Sequence, residues 1–139
     1  MGETRILRTN LSLIDMVADI VFQQESYDLV GCAYAVYNEL KYGYHEKYYQ
    51  KAYEIELLNK GFQFARELKV DLSYGDQKIG NYYLDFLVNN QIVVEFKVAN
   101  DFHINHIKQV FAYLKATDKR LGIIILFTQS GIKYKRIVN

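Results

Sequence analysis

The hydrophobic rhythm of this chain changes once, at Gly61, and that change constrains the fold class more than any other feature. Before it, apolar residues recur at helical spacing. After it, they alternate or run together as strands do. Ser12 can cap a helix whose stripe is Leu13, Val17, Ile20, Val21 and Gln24. The stripe weakens around residues 25–27 and resumes as Val30, Ala33, Tyr34, Tyr37 and Leu40, with Gly43 punctuating its end. A third helix is predicted from about His45 to Lys60. Phe62, Phe64, Leu68, Val70 and Leu72 then mark a strand, and Ser73-Tyr74-Gly75-Asp76 is turn chemistry. A second strand runs from about Ile79 to Val88 and a third from Ile92 to Ala99, with Asn89-Asn90-Gln91 between them. A helix over about Ile104 to Ala116 carries the core stripe Ile107, Val110, Phe111 and Leu114. A buried strand from Leu121 to Phe127 and a short one from Ile132 to Val138 close the chain. The predicted order is ααα-βββ-α-ββ, an α/β sandwich with a central mixed sheet flanked by helices. One domain over residues 1–139 is expected, with a helical part over about 11–60 and a sheet core over about 62–138.

Composition excludes several classes. Half of the 139 residues are hydrophobic and 17 Lys+Arg face 16 Asp+Glu, so global disorder is excluded. The longest apolar run, Leu121 to Phe127, is far short of the roughly 20 residues that cross a bilayer, so no membrane partner is expected. Cys32, the single cysteine, makes no internal disulfide and reads as a buried, inert thiol. With no apolar leader after Met1, the chain reads as cytoplasmic. A net charge of +1 supplies no global pull toward nucleic acid, so any such binding rests on local arrangement. Thirteen tyrosines, clustered between Tyr34 and Tyr53, read first as amphipathic fillers of packed helices and second as a base-stacking platform.

Charges inside an apolar strand require an explanation, because burying an unpaired charge is expensive. Val93-Val94-Glu95-Phe96-Lys97-Val98 puts Glu95 and Lys97 on one face of the third strand, and Tyr83-Leu84-Asp85-Phe86-Leu87 puts a carboxylate in the second. A three- or five-residue loop, or a bulge, sets Asp85 opposite Glu95; a two-residue turn at Asn89-Asn90 pairs Asp85 with Val94 instead. The former register is predicted. It brings the carboxylates to about 5 Å, where they repel unless one is protonated or a cation lies between them. A divalent ion such as Mg²⁺ suits one or two carboxylates plus water and phosphate oxygens. Lys97 can then position a water or stabilise charge on a phosphoryl group. Glu46, in the row Glu46, Tyr49, Tyr53 and Leu57, is expected to face the sheet. His106, Gln109 and Tyr113 form a polar row on the fourth helix, able to contact a substrate backbone or orient Lys97. Taken singly, each has a plainer explanation. Glu95 and Lys97 make an ion pair, Asp85 is a solvated strand residue, Glu46 suits a helix N-terminus, and Gln109 with Tyr113 is a solvated face.

In this order the residues resemble the PD-(D/E)XK nuclease superfamily: helix Glu, strand Asp, strand E-x-K, helix Q-x-x-x-Y. More narrowly, Gly43-Tyr44-His45-Glu46-Lys47-Tyr48-Tyr49 is similar to the signature of the GxxExxY proteins at Gly43, Glu46 and Tyr49. Further likeness lies in Val36-Tyr37-Asn38-Glu39-Leu40, Leu114-Lys115-Ala116-Thr117 and Tyr134-Lys135-Arg136-Ile137-Val138, so that it runs from about Tyr27 to Val138. Two departures stand: Leu84 precedes Asp85 where the motif's name has proline, and Lys41-Tyr42-Gly43 replaces the Gly-Pro-Gly common in relatives. The resemblance implies a restriction-endonuclease-like fold and a metal-dependent nuclease. Asp85 and Glu95 would ligate Mg²⁺ or Mn²⁺ with the Phe96 carbonyl. Glu46 would be an accessory ligand or base-side carboxylate, Lys97 the catalytic lysine, and Gln109 and Tyr113 its supports. The expected partner is nucleic acid, DNA first, with Lys47, Lys51, Arg66, Lys108 and Lys115 as candidate backbone contacts and a homodimer as one way to cover a duplex. The alternatives are a non-catalytic nucleic-acid-binding module of the same fold and a protein-interaction module using the tyrosine-rich helices.

Overall fold

A computed structural model of the chain describes residues 22–139. Helix α1 occupies residues 22–40 and α2 spans Glu46–Asn59. Strands β1 (Phe64–Tyr74), β2 (Gln77–Val88) and β3 (Ile92–Val98) follow, then α3 (Ile104–Thr117), β4 (Leu121–Thr128) and β5 (Gly131–Val138). The five strands form one mixed sheet in the order β1-β2-β3-β4-β5. Only β3 and β4 are parallel, and α3 makes the crossover between them. This is the expected mixed sheet with helices against it, and β3, apolar on both faces, is its middle strand.

Two predicted features change. The expected break near residues 25–27 is absent, because the helix runs unbroken through 22–40. Its buried stripe is Phe22, Ser26, Leu29, Ala33 and Val36, and Ser26, 5% exposed, carries the stripe through the polar stretch that looked like an interruption. The expected first helix up to residue 21, with Ser12, lies outside the described residues. On α3 the buried residues are Val110, Tyr113 and Leu114, whereas Phe111 is 38% exposed. Tyr113 therefore belongs to the core and not to a solvated row. Its ring meets Tyr82 of β2 edge-on at 5.8 Å, a partner that the helix pattern alone does not reveal.

The sheet separates two apolar compartments. One holds α1, α2 and the Phe86, Val94, Phe96 and Phe127 side of the sheet; the other holds α3 with Leu84, Leu87, Val93 and Ile124. Tyr53 is fully buried in the first, with its hydroxyl donating to the Leu29 carbonyl at 2.8 Å. Cys32 is buried there too, and burial pushes its thiol up to about 11, which leaves it unreactive as expected. Strand alternation should keep Leu84 and Phe86 on one face, yet they lie in different compartments. In β1, Phe64 packs with the first compartment and Leu68 and Val70 with the second. Both strands change face together at Glu67, whose φ is +53°, and at Asp85 across from it. The outer part of the β1–β2 hairpin is thereby turned over α3.

Gly122 lets α3 sit close to β4. A Cβ there would lie 2.8 Å from Val110 Cγ1 and 3.4 Å from Leu114 Cδ1, and the branched valine has little freedom to retreat. Gly122→Ala should destabilise the protein by about 1–3 kcal/mol in urea unfolding. An unchanged midpoint would mean that the helix shifts without penalty.

Candidate active site

The β2–β3 ladder pairs Val88 with Ile92, Leu87 with Val93 and Phe86 with Val94. Residues 89–91 make the three-residue connection, and Asn89 and Asn90 hold left-handed φ values of +52° and +56°, which asparagine tolerates better than most residues. This is the predicted register, so the next rung sets Asp85 against Glu95. That rung is made by side chains. The Asp85 N–H donates to Glu95 Oε1 at 3.1 Å, and the Phe96 N–H donates to Asp85 Oδ2 at 2.7 Å. Each carboxylate is therefore pinned by one oxygen to the backbone of the neighbouring strand.

The two groups are close enough to share a proton, and both are displaced in the same direction. Burial and then the charge of Glu95 push Asp85 up to about 7, against the pull of the Phe96 N–H and Lys97. Burial pushes Glu95 up to about 7 as well, opposed by its hydrogen bonds with Asp85 and by Lys97. Glu95 is 7% exposed. Two carboxyls this close, Glu95 buried and Asp85 half-buried, are suited to share a proton or to take a cation.

Three further groups surround this rung. Glu46, in the first turn of α2, is half-buried, and burial followed by the Asp85 charge pushes its carboxyl up, while Lys97 and the Val98 N–H pull it down. The loop ahead of it is fixed by the two flanking signature residues. Gly43 has φ +118°, a conformation that side chains resist. The Tyr49 hydroxyl donates to the Lys41 carbonyl at 2.6 Å and accepts the Tyr44 N–H at 3.4 Å, while its ring stacks on Phe127 at 4.3 Å. Lys97, at the end of β3, is exposed, and its charge acts on Asp85, Glu95, Glu46 and His106 alike. His106, in the first turn of α3, places Nε2 3.9 Å from Glu95 Oε2. Burial and Lys97 hold this imidazole below its ordinary range, so the contact is not an ion pair at neutral pH. His106 was visible in sequence only as the start of the row that continues with Gln109 and Tyr113.

The remaining candidates are more distant in kind. Gln109 is exposed on α3, and its carbonyl accepts the Tyr82 hydroxyl at 3.4 Å. Tyr113 is buried behind the site, pushed up by burial and then, after a hydrogen bond with Thr117 that opposes it, by the charge of Glu95. Arg66 is engaged within the fold and not offered to a partner: it donates to Gln50 at 2.6 Å, pairs with Glu54 at 3.3 Å and lies 4.9 Å from the Phe86 ring centre.

Among the described residues, no three His, Cys, Asp or Glu side chains gather tightly enough to hold an ion by themselves. The donor set is instead two hard carboxylates on one rung beside backbone groups, which fits an ion that keeps waters and takes phosphate oxygens, as Mg²⁺ does. A zinc-like cage does not match it.

A mixed sheet flanked by helices, with an acid pair across its β2–β3 rung and a lysine near the end of β3, is the restriction-endonuclease-like arrangement. The chain belongs to the PD-(D/E)XK nuclease superfamily, whose family model matches residues 23–137. Its fold is also that of a solved crystal structure, SSO0001, with a TM-score of 0.53 at 18% identity. The match covers 88% of this chain and 62% of the SSO0001 chain, so this chain spans less than two thirds of that protein's length. No curated protein matches it.

The acid pair makes stability depend on pH in a stated direction. Both carboxyls bind protons more tightly in the folded chain than at their ordinary values of 3.8 and 4.5. Folded protein therefore holds more protons than unfolded protein between about pH 4 and 7, and stability falls as pH rises through that window. Asp85→Asn should flatten the fall in melting temperature between pH 5 and 8. A variant whose profile overlays the native one would remove the pair as its cause.

Proposed function

We propose that this chain hydrolyses phosphodiester bonds of nucleic acid, with DNA as the leading substrate and Mg²⁺ or Mn²⁺ as the required ion. The observation that carries the reading is the side-chain rung: a buried and a half-buried carboxyl, each held by a backbone amide and each raised toward neutrality, with an exposed lysine beside them. An acid pair of this kind is costly to the fold unless a cation relieves it. Asp85, Glu95 and the Phe96 carbonyl would hold that ion, with Glu46 as accessory ligand. Bound there, a divalent ion supplies Lewis-acid charge to a phosphoryl group.

The protein's own groups do the rest. Lys97 sets an exposed amine beside the site, suited to orienting the attacking water and to charge growing on non-bridging oxygens. Glu46, whose carboxyl burial and the Asp85 charge displace upward, is suited, if it does not ligate the ion, to take a proton from that water. Gln109, three residues beyond His106 along α3, would contact the substrate backbone, and Tyr113 would brace the site from behind through Tyr82. The narrower likeness to GxxExxY proteins fits the way Gly43 and Tyr49 fix the loop that presents Glu46. Two copies of a chain this small would together cover a duplex.

Labelled oligonucleotides incubated with Mg²⁺ or Mn²⁺ test the reading. Native protein should cut them and stop in a chelator. Asp85→Ala and Lys97→Ala, checked as folded by circular dichroism, should each lose at least about 100-fold in rate. Undiminished cutting by both variants would refute it.

A further inference from the structure

The structure sorts the tyrosines, and the sorting leaves a feature that the hydrolytic site does not use. Tyr49 and Tyr53 are wholly buried, as fillers should be. Tyr42, Tyr44 and Tyr48 are 42%, 46% and 50% exposed, all within seven residues that bracket Glu46. Single exposed rings need no explanation, but a contiguous group of them does. Tyr44 and Tyr48 meet edge-on at 6.3 Å, His45 lies 6.4 Å from Tyr48, and Lys47 Nζ sits 5.1 Å from the Tyr48 ring centre. We propose that Tyr42, Tyr44, His45 and Tyr48, with Lys47, form a stacking shelf for unpaired bases of a nucleic-acid strand running into the acid site.

The proposal rests on the hydrolase reading and narrows its substrate to strands with unstacked bases. Four observations support it. The rings present faces and edges to solvent, and a base stacks on such rings only when its own face is free, which a duplex interior does not allow. The shelf is continuous in sequence with Glu46, the first residue of α2, whose carboxyl feels the charges of Asp85 and Lys97. It is held rigid from beneath, because Tyr49 ties the Lys41 carbonyl and the Tyr44 N–H and is itself stacked on Phe127. Ordering cost on binding is therefore small. Finally, the chain carries 17 cationic against 16 anionic residues, so charge alone provides little grip and stacking must carry much of the affinity. The other use of such a patch, a contact with another protein, accounts for exposed rings but not for their place around an acid of the hydrolytic site.

Fluorescence anisotropy on the full chain in chelator, where no cutting occurs, separates these uses. The probes are fluorescein-labelled 15-mers: oligodeoxyuridylate, oligouridylate, an abasic deoxyribose strand and a duplex. Native protein should bind a base-bearing single strand at least about tenfold tighter than the abasic strand or the duplex. Whichever of the two single strands shows the preference identifies the sugar. Tyr44→Ala and Tyr48→Ala should each remove most of that preference, and Tyr48→Phe should keep it. Equal binding of abasic and base-bearing strands, or an unchanged preference in both alanine variants, overturns the shelf. So does a change of oligomeric state in those variants with binding untouched, which would make the patch a protein contact. Native protein that cuts but shows no base preference defeats the shelf alone. Absence of cutting with the base preference intact defeats the hydrolase reading alone.

Discussion

Where the ladder between β2 and β3 would continue with amide-to-carbonyl bonds, two carboxylates take the amides instead. The Asp85 and Phe96 N–H groups are satisfied by the side chains of Glu95 and Asp85. A buried amide must find an acceptor, and a buried carboxylate must find donors. Here each need answers the other. The arrangement holds the acids to backbone positions, so their geometry is as stiff as the sheet. It also leaves them mutually repulsive. Burial and then the Asp85 charge raise Glu46, burial and then Lys97 lower His106, and Lys97 opposes the negative charge from the open side.

The rest of the fold can be read as support for that rung. Apolar compartments on both sides of the sheet fix β3, and α2 and α3 bring Glu46 and His106 from opposite layers to the end of one strand. Tyr49 has two jobs: its ring fills the core against Phe127, and its hydroxyl shapes the loop before Glu46. A phenylalanine there would retain the first and lose the second. A signature that pairs a glycine, an acid and a tyrosine at this spacing thus has a mechanical meaning, independent of any reaction.

Much of this was legible before any coordinates. The change of period at Gly61 gave the layer order, and the parity of Asp85 and Glu95 across a three-residue connection gave the register. Local pattern was enough there, because a strand has only two faces and a one-residue slip is visible as misplaced polarity. Helices were read less well. Four apolar residues of α3 fit one stripe on paper, yet Tyr113 displaces Phe111 from the core because Tyr82 waits on the facing strand. The continuity of α1 was hidden by Gln24, Glu25 and Ser26, although a serine is small enough to pass through a buried stripe. His106 is legible as part of a polar row, but its place beside Glu95 is not, because that contact joins α3 to a strand and no local pattern marks it. The simultaneous change of face at Glu67 and Asp85 depends on a left-handed residue in mid-strand, which composition does not announce.

That change of face divides the β1–β2 hairpin into two lengths with different obligations. The basal part is bonded into the sheet and carries Asp85; the distal part leans on α3 and ends in an exposed tip around Gly75 and Asp76, with a register irregularity at Leu72 and Ser73. Residues can be added or deleted at such a tip with little disturbance to what lies below it. The length of this arm is in this way uncoupled from the geometry at its base, where Asp85 and Glu95 share their rung.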